Sequence, residues 1–175
     1  MRRLFAAVML PDAPREHLVT ALRPLRGPEL RWTDPDNWHL TLAFYGDQPN
    51  DAAATTALVA RAAGLHGPLR LNLSGAGSFS RRTLWIGVGG DTTELRALMG
   101  DCAAEPDERR RAHLTVARAG ARTRDSWLVA DHARALSVYR GPEFAVEEVQ
   151  LVESHLGSGR GGGPRYEVVE SFALQ

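Results

Sequence analysis

The sequence predicts an α+β fold built from antiparallel sheets with flanking helices. Three observations predict this class. Short apolar runs typical of strands are mixed with segments of helical periodicity, tight turns join neighbouring strands as hairpins, and no strong linker divides the 175 residues. Because one domain usually spans roughly 100–200 residues, we expect residues 1–175 to form a single domain.

The first half of the chain predicts five strands and two helices. The strands are expected at Leu4–Leu10, Leu30–Thr33, Trp38–Tyr45, Leu69–Phe79 and Thr83–Val88, with Ser80–Arg82 joining the last two as a hairpin. Asp12 is expected to cap a helix that ends before Gly27. Asp51 is expected to open an Ala-rich helix that reaches about Ala63.

The second half of the chain repeats this mixture. Strands are expected at Ala112–Ala117, Phe144–Glu153 and Tyr166–Leu174, and helices from Thr92 or Thr93 to Met99 and over Asp125–Tyr139. The acidic-then-basic segment Glu105–Arg111 is expected to be a loop. The Gly-rich segment 157–164 matches the G-x-G-x-x-G nucleotide fingerprint, but that motif requires a helix after it. Because a strand follows here, we interpret the segment as a flexible hairpin loop.

Composition and charge exclude several classes of protein. The chain has 21 basic residues, all of them arginine, against 21 acidic ones, which argues against coating of nucleic acid by bulk charge. The single cysteine, Cys102, excludes an internal disulfide framework and a cysteine-based metal cluster, and it fits a cytoplasmic protein. The apolar run after Arg2-Arg3 imitates a signal peptide but lacks a cleavage site, so a buried strand is expected. No stretch approaches the roughly 18 apolar residues of a membrane span, so no membrane partner is expected.

A tetrapeptide motif that occurs twice is the strongest indication of function in the sequence. The two copies are His39-Leu40-Thr41-Leu42 and His113-Leu114-Thr115-Val116. About 0.04 His-Leu-Thr tripeptides are expected by chance from this composition. Because side chains of a strand alternate between its faces, His39 and Thr41 share one face, and His113 and Thr115 do the same. If the two strands lie side by side or across a cleft, two imidazoles and two hydroxyls converge there.

Two imidazoles beside two hydroxyls suit phosphoester chemistry. A neutral His can take a proton from water while a protonated one gives a proton to the leaving oxygen. Thr hydroxyls can donate hydrogen bonds to the non-bridging phosphate oxygens, and the chemistry needs neither metal nor cofactor. Two alternatives stay open. In the first alternative, each His is an ordinary strand residue with no catalytic role. In the second, the pair binds zinc together with a third ligand from His155 or a carboxylate.

The chain resembles the two-histidine (2H) phosphoesterase superfamily, and specifically the RNA 2′,3′-cyclic phosphodiesterases, also called the 2′-5′ RNA ligase family. The resemblance covers Arg31-Trp32, Asn37–Gly46, Leu84–Val88, His113–Arg118, Val149–Ser154 and Gly163–Tyr166. It implies two pseudo-symmetric lobes, each an antiparallel sheet with flanking helices, around a central cleft that holds both motifs. It also implies metal-independent hydrolysis of 2′,3′-cyclic phosphates to 2′-phosphomonoesters, at RNA 3′ ends or in small cyclic nucleotides.

The resemblance also assigns roles to residues. His39 would protonate the departing 3′ oxygen, His113 would activate the attacking water, and Thr41 and Thr115 would bind the phosphate. Arg118 matches an arginine that contacts phosphate in the family. Strict alternation puts Arg118 on the face opposite His113, so it must lie beyond the regular strand or follow a bulge. We expect a monomer. Two other functions stay open: ATP-independent 2′-5′ joining of RNA ends by the reverse reaction, and RNA-end binding without turnover.

Other basic and aromatic residues have weaker signals. Arg81-Arg82 and Arg109–Arg111 are interpreted as solvated loops, with contacts to an RNA backbone as the alternative. The four tryptophans are expected mainly to pack, with stacking on a base as the alternative: Trp32, Trp38, Trp85 and Trp127. The remaining histidines lack a Thr partner and are interpreted as structural or surface residues: His17, His66, His132 and His155. Arg160 and Arg165 are candidates for lining a substrate groove.

Overall fold

The computed structural model describes residues 1–104 and 111–175, which form nine strands and four α-helices. The strands are β1 (Arg2–Met9), β2 (Leu30–Trp32), β3 (His39–Gln48), β4 (Leu69–Phe79), β5 (Thr83–Gly90), β6 (His113–Ala119), β7 (Arg140–Val146), β8 (Glu148–His155) and β9 (Arg165–Ala173). The helices are α1 (Asp12–Leu22), α2 (Ala53–Ala63), α3 (Thr92–Cys102) and α4 (Leu128–Ala135). Of the loop expected at Glu105–Arg111, residues 105–110, with Arg109 and Arg110, lie outside the described residues.

The strands form two antiparallel sheets, which confirms the predicted α+β class. The first sheet has the order β3-β1-β8-β9, and the second has the order β2-β6-β5-β4-β7. The strands β3 and β6, which carry the two motifs, therefore belong to different sheets. Helices α2 and α3 pack on the first sheet, and α1 and α4 pack on the second.

The faces of the motif strands that point away from the cleft form part of the core. Leu40 and Leu42 of β3 and Leu114 and Val116 of β6 are buried in one cluster that includes residues of both sheets. Burial of each such side chain stabilises the fold by about 1.5–3 kcal/mol. This alternation, with His and Thr on the other face, is the one that the motifs predict.

One predicted strand is wrong. The apolar run Phe144–Glu153 is two strands, because β7 ends at Val146 in the second sheet and β8 begins at Glu148 in the first sheet. The chain crosses between the sheets at Glu147, whose carbonyl accepts a hydrogen bond from the backbone N–H of Leu174. Strand propensity does not report which sheet a residue joins, so the run shows no sign of this crossing.

The predicted helix starts also need correction. Asp12 lies inside α1 and pairs with Arg15 instead of capping the helix. α2 begins at Ala53, after Ala52 in a left-handed conformation with φ of 48°, rather than at Asp51. α3 begins at Thr92 itself, so neither Thr92 nor Thr93 is the capping residue. Polar residues thus predicted the start of each of these helices to within about two residues, but the predicted residues are not the N-caps.

The last helix is shorter than expected. Asp125 accepts a hydrogen bond from the backbone N–H of Trp127 in a turn, at 2.8 Å, and α4 begins only at Leu128. Beyond Ala135 the chain continues in turns, in which the N–H of Tyr139 donates to the carbonyl of Leu136. The Gly-rich segment 157–164 does connect two antiparallel strands, β8 and β9, which confirms the hairpin. Within the described residues, no helix has the length and apolar character needed to cross a membrane.

Candidate active site

The two His-Leu-Thr motifs come from different sheets and meet at one cavity. His39 is the first residue of β3, at the edge of the first sheet, and His113 is the first residue of β6 in the second sheet. Both histidines, Thr41, Thr115 and Arg118 line a cavity of about 680 Å³. The structure therefore brings all five sequence-predicted site residues to one place.

A β-bulge in β6 explains how Arg118 reaches the cavity. The register of β6 with β5 shifts between Thr115 and Ala117, so Val116 is an extra residue that has no partner in β5. After the shift, Arg118 lies on the same face as Thr115 rather than opposite it. Its side chain is exposed and lines the cavity. The bulge is one of the two arrangements that the sequence analysis required for this arginine.

The same bulge occurs in β3, where the register with β1 shifts at Leu42. Phe44 stands three residues after Thr41, just as Arg118 stands three residues after Thr115. The Phe44 side chain therefore also reaches the cavity, and it is 68% exposed. Sequence reasoning missed Phe44, although its equal spacing from the motif was a signal. Of the residues that face the cavity, the two halves share the histidine and the threonine and differ at this position.

Both histidine rings are held by the same local hydrogen bond. Nδ1 of His39 lies 2.7 Å from the carbonyl oxygen of Asn37, and Nδ1 of His113 lies 2.7 Å from the carbonyl oxygen of Arg111. A carbonyl oxygen can only accept, so Nδ1 carries the proton in both rings. Nε2 is therefore the nitrogen left to exchange a proton with a substrate, as an acceptor in the neutral ring and a donor in the charged one.

Aromatic rings enclose His39. The ring of Phe5 on β1 lies 4.9 Å from the imidazole, and Tyr166 on β9 meets it edge-on, with ring centroids 5.2 Å apart at 89°. Phe5 shares the face of His39 because of the β1–β3 register. Sequence reasoning missed both residues, since each lies on a strand more than 30 positions from His39 and no local pattern links them.

The ring of His113 has a different environment. Phe79 at the end of β4 meets it edge-on, with centroids 4.9 Å apart at 85°, and Trp85 lies 6.2 Å away. The guanidinium of Arg111 stacks over Trp85 at 4.6 Å. These contacts fix the orientation of His113 from one side, because rings in edge-on contact restrict each other's rotation.

The surroundings of His39 also set its protonation. Burial lowers the pKa of His39 below its usual value near 6.5, because the charged ring loses hydration. The hydrogen bond to the carbonyl of Asn37 opposes this shift in the pKa, and the nearby charge of His113 adds to it. The protein's own groups therefore hold His39 toward its neutral form.

These features can be compared with known proteins. A sequence profile of the 2′-5′ RNA ligase superfamily matches residues 10–158, which include both motifs. The chain belongs to this superfamily. A protein of Methanothermobacter thermautotrophicus named RNA 2′,3′-cyclic phosphodiesterase is 29% identical to the chain, over 98% of each sequence.

Solved structures support the same membership in the 2′-5′ RNA ligase superfamily. Escherichia coli LigT complexed with 3′-AMP is 26% identical, with a TM-score of 0.74 over 99% of this chain and 98% of LigT. A protein solved as a phosphoesterase is 26% identical, with a TM-score of 0.78 over 100% of this chain and 99% of its own. This chain thus shares its two-sheet architecture with both of these proteins.

The cavity of this 2′-5′ RNA ligase superfamily member is rich in arginine. Arg3, Arg31 and Arg160 line it in addition to Arg118. Arg160 lies 3.8 Å from the carboxylate of Asp34, so the Gly-rich hairpin does contribute a cation to the cavity wall. Arg165 instead pairs with Glu167 at 3.3 Å. Positive charge around the cavity favours an anionic ligand.

Tyr166 adds a neutral polar group to the same wall. Burial raises the pKa of its phenol, and the charge of Arg118 partly opposes this shift in the pKa. The phenol therefore keeps its proton at neutral pH and is available as a donor.

The other histidines lie outside this cavity, as expected from their sequence context. His66 pairs with Asp101 at 2.7 Å, and His155 lies 3.4 Å from Glu167. Within residues 1–104 and 111–175, no three side chains among His, Cys, Asp and Glu come together in a way that would hold a metal ion. In this part of the chain, therefore, His155 does not supply the third zinc ligand that the alternative interpretation required.

Proposed function

We propose that this protein hydrolyses ribose 2′,3′-cyclic phosphates at RNA 3′ ends, or in small cyclic nucleotides, to 2′-phosphomonoesters. The observation that carries the proposal is the matched pair of His-x-Thr units, each with the same bulge and the same carbonyl-held imidazole, at one arginine-lined cavity. Two imidazoles whose Nε2 atoms are free can act as a general acid and a general base, and the reaction requires both.

The relatives support the same substrate class. The 29% identical protein carries the name RNA 2′,3′-cyclic phosphodiesterase. Structures of LigT, which is 25–26% identical, include complexes with 3′-AMP and with phosphate. A nucleotide phosphate is thus a ligand of a protein with this architecture, and the arginine-lined cavity of this chain suits the same group.

In the proposed reaction, Nε2 of His113 takes a proton from water while the water oxygen attacks phosphorus. The bond between phosphorus and the 3′ oxygen breaks, and the protonated Nε2 of His39 gives its proton to that oxygen. The products are a free 3′ hydroxyl and a 2′-phosphomonoester. Each proton transfer by a positioned imidazole accelerates the reaction by about 10²–10⁴-fold.

The phosphate is held by the hydroxyls of Thr41 and Thr115 and by the guanidinium of Arg118. Each hydroxyl donates to a non-bridging oxygen, and Arg118 opposes the charge that builds up on these oxygens as water adds. The bound phosphate also affects the acid. Its negative charge favours the protonated form of His39 and so opposes the burial that lowers the pKa of this residue.

The proposed reaction uses no metal or cofactor, and this can be tested directly. We expect the wild-type protein to hydrolyse a short RNA with a 2′,3′-cyclic phosphate at the same rate with and without EDTA. We expect His39→Ala and His113→Ala to lower kcat/KM by about 10²–10⁴-fold each. His17→Ala is the matched control, because His17 is exposed and contacts Tyr139 away from the cavity. Complete loss of activity in EDTA would contradict the metal-independent reaction, and full activity of both cavity variants would contradict the site.

Joining of RNA ends is the second candidate, because the family profile is that of 2′-5′ RNA ligases. The same two imidazoles would then keep their roles. His113 takes the proton of the attacking 5′ hydroxyl, and His39 gives a proton to the departing 3′ oxygen, which leaves a 2′-5′ linkage. The chain contains no lysine, so ligation through a lysine-bound nucleotide is excluded, and any joining must be ATP-independent and use the energy of the cyclic phosphate. Incubating a cyclic-phosphate end with a 5′-hydroxyl RNA, without ATP, distinguishes the two reactions by product length.

We further propose that the chain acts as a single-domain monomer in the cytoplasm. One chain supplies both motifs and Arg118, so the proposed chemistry needs no second copy. One cluster of buried side chains includes members of both sheets, which supports a single domain. The lone thiol of Cys102 is buried and free, in keeping with a reducing compartment. Light scattering after size exclusion tests the monomer, for which a mass near 19.1 kDa is expected.

A further inference from the structure

A basic and aromatic surface lies at the rim of the cavity, and the proposed reaction does not use it. It is formed by the turn between β4 and β5 and by the loop that follows β6. We call it the rim surface, and its residues are Arg81, Arg82, Arg122, Arg124 and Trp127. The turn starts after Phe79 and ends at Thr83, which both line the cavity. The turn must therefore sit at the cavity edge.

Hydrogen bonds tie the two parts of the rim surface together. The backbone N–H of Ala119 donates to the carbonyl of Arg82 at 2.7 Å. Thr83 pairs with Arg118 across the β5–β6 ladder. The turn is thus joined to the strand that carries the second motif, and the loop with Trp127 continues from the end of that strand.

Trp127 differs from the other tryptophans in its exposure. Trp38 and Trp85 are buried at 2% and 5% exposure, whereas Trp127 is 56% exposed. The guanidinium of Arg81 stacks over the Trp127 ring at 4.6 Å. Trp127 precedes α4, and the packing expected for the tryptophans from the sequence leaves more than half of its side chain exposed. An indole with one open face beside a cation is the arrangement that binds a nucleobase by stacking.

The turn holds Arg81 in an unusual backbone conformation. Ser80 and Arg81 have φ of 51° and 54°, and the N–H of Arg82 donates to the carbonyl of Phe79 at 2.9 Å. Two left-handed central residues define a turn in which Asn-Gly is normally preferred, because a side chain is strained there. Backbone strain of this kind is typical of functional segments. In this turn, the strained conformation accompanies the placement of the Arg81 guanidinium over the Trp127 ring.

The rim surface also carries an excess of positive charge. Arg81, Arg82, Arg122 and Arg124 are all exposed. In residues 1–104 and 111–175, other arginines form ion pairs, such as Arg2 with Glu153 at 2.8 Å, but none of these four lies within 4.0 Å of a described carboxylate. Exposed arginines next to a phosphate-binding cavity favour a partner with repeated negative charge.

We propose that the rim surface binds the single-stranded RNA body that carries the reacting 3′ end. Trp127 stacks on one base, and the arginines contact the phosphates on either side of it. The proposal rests on the proposed function for the identity of the reacting end. It adds a preference for oligonucleotides over cyclic mononucleotides, because Trp127 is not among the residues that line the cavity.

The first test compares two substrates. We expect Trp127→Ala to lower the ratio of kcat/KM for a cyclic-phosphate octanucleotide to kcat/KM for 2′,3′-cyclic AMP by about 10-fold, the effect of losing one base stack. Trp127→Phe keeps an aromatic face and should restore most of the ratio. Equal loss on both substrates, or no change in the ratio, would overturn the proposal.

The second test measures binding without catalysis, by anisotropy of a fluorescent octanucleotide that ends in a 2′-phosphate. The slope of log affinity against log salt should decrease in magnitude by about 0.7 in Arg81→Ala and by the same amount in Arg82→Ala. Each arginine that neutralises one phosphate of a single strand contributes about 0.7 to this slope. Arg61→Ala is the control with the same charge loss, on α2, which packs against the other sheet. Unchanged slopes in both rim variants would contradict the proposal.

The two tests also separate this proposal from the proposed function. If the wild type hydrolyses neither substrate but binds the octanucleotide through Trp127, the proposed reaction fails and the rim surface stands. If it hydrolyses both substrates and Trp127→Ala changes neither the ratio nor the binding, the rim surface fails and the reaction stands.

Discussion

The roles of the two histidines make a prediction that pH profiles can decide. In His113→Ala the proposed base is gone and the acid His39 remains, so residual kcat/KM should follow the protonated fraction of His39. It should be constant at low pH and fall about tenfold per pH unit above the pKa of His39. In His39→Ala only the base remains, and residual kcat/KM should instead rise with pH to a plateau.

The position of the falling limb follows from the surroundings of His39. Burial is the largest influence and lowers its pKa, so the limb should lie below pH 6.5. Removing His113 removes a second, smaller lowering influence on the same pKa. In His113→Ala, the midpoint of the fall in kcat/KM should therefore lie above the pKa that His39 has in the wild type, but still below pH 6.5. Loss of either partner should cost about 10²–10⁴-fold in kcat/KM at its best pH, or about 3–5 kcal/mol.

The assay is hydrolysis of 2′,3′-cyclic AMP from pH 4.5 to 8.5 at constant ionic strength, with both variants and wild type. NMR titration of the imidazole Cε1–H resonances gives the pKa of His39 independently, and His39→Ala assigns the signal. A rising profile for His113→Ala and a falling one for His39→Ala would show that the roles are exchanged. Flat profiles in both variants would refute acid–base catalysis by this pair.

Three further predictions concern the cavity wall and the core. Arg118→Leu should lower kcat/KM by about 10²-fold or more, because the phosphate loses a charged hydrogen-bond donor. Arg118→Lys should recover only part of this kcat/KM, because an ammonium group lacks the planar fork of a guanidinium. Steady-state kinetics checks both variants. The stabilising contribution of neutral His39 should be fully present above pH 6.5 and decrease as the pH falls through 6.5 toward its lowered pKa, because the unfolded chain binds the proton more tightly. Urea unfolding from pH 5 to 8 measures the free energy of unfolding of the wild type and of His39→Gln. The difference between these two free energies should become smaller as the pH falls. Leu114→Ala, at a position with 0% exposure, should reduce the free energy of unfolding by about 2–5 kcal/mol in the same assay, and an unchanged value would contradict the packing described for β6.

The sequence was most informative where function depends on local geometry. Alternation along a strand is a property of the backbone, so the sequence alone places His39 and Thr41 on one face. The face of Arg118 could not be fixed in the same way. Its position depends on whether Val116 is an extra residue, and the register with a strand 30 positions earlier decides this. Composition near Val116 carries no signal of that choice.

The residues that escaped prediction are those placed by long-range pairing. Phe5 reaches His39 because β1 pairs with β3, and Tyr166 reaches it from the far end of the chain. The break at Glu147 was missed for a related reason. A continuous run of strand-forming residues satisfies local propensity equally well in one sheet or in two. These decisions are made by packing of the whole chain.

The near symmetry of the site raises the question of what gives the reaction a direction. Two identical His-x-Thr units, each with the same bulge and the same carbonyl-held ring, would treat the two oxygens of a cyclic phosphate alike. The asymmetry must come from residues outside the repeat. His39 is enclosed by Phe5 and Tyr166, whereas the ring of His113 lies beside Phe79.

The position after each motif adds a second asymmetry, since Phe44 occupies in the first half the place that Arg118 occupies in the second. An apolar ring and a guanidinium cannot contact the same part of a nucleotide equally well. A substrate that places its phosphate near Arg118 and a base against the exposed Phe44 ring has one preferred orientation in the cavity. For the proposed reaction, we therefore expect Phe44 and Arg118 to determine which of the two histidines faces the departing oxygen.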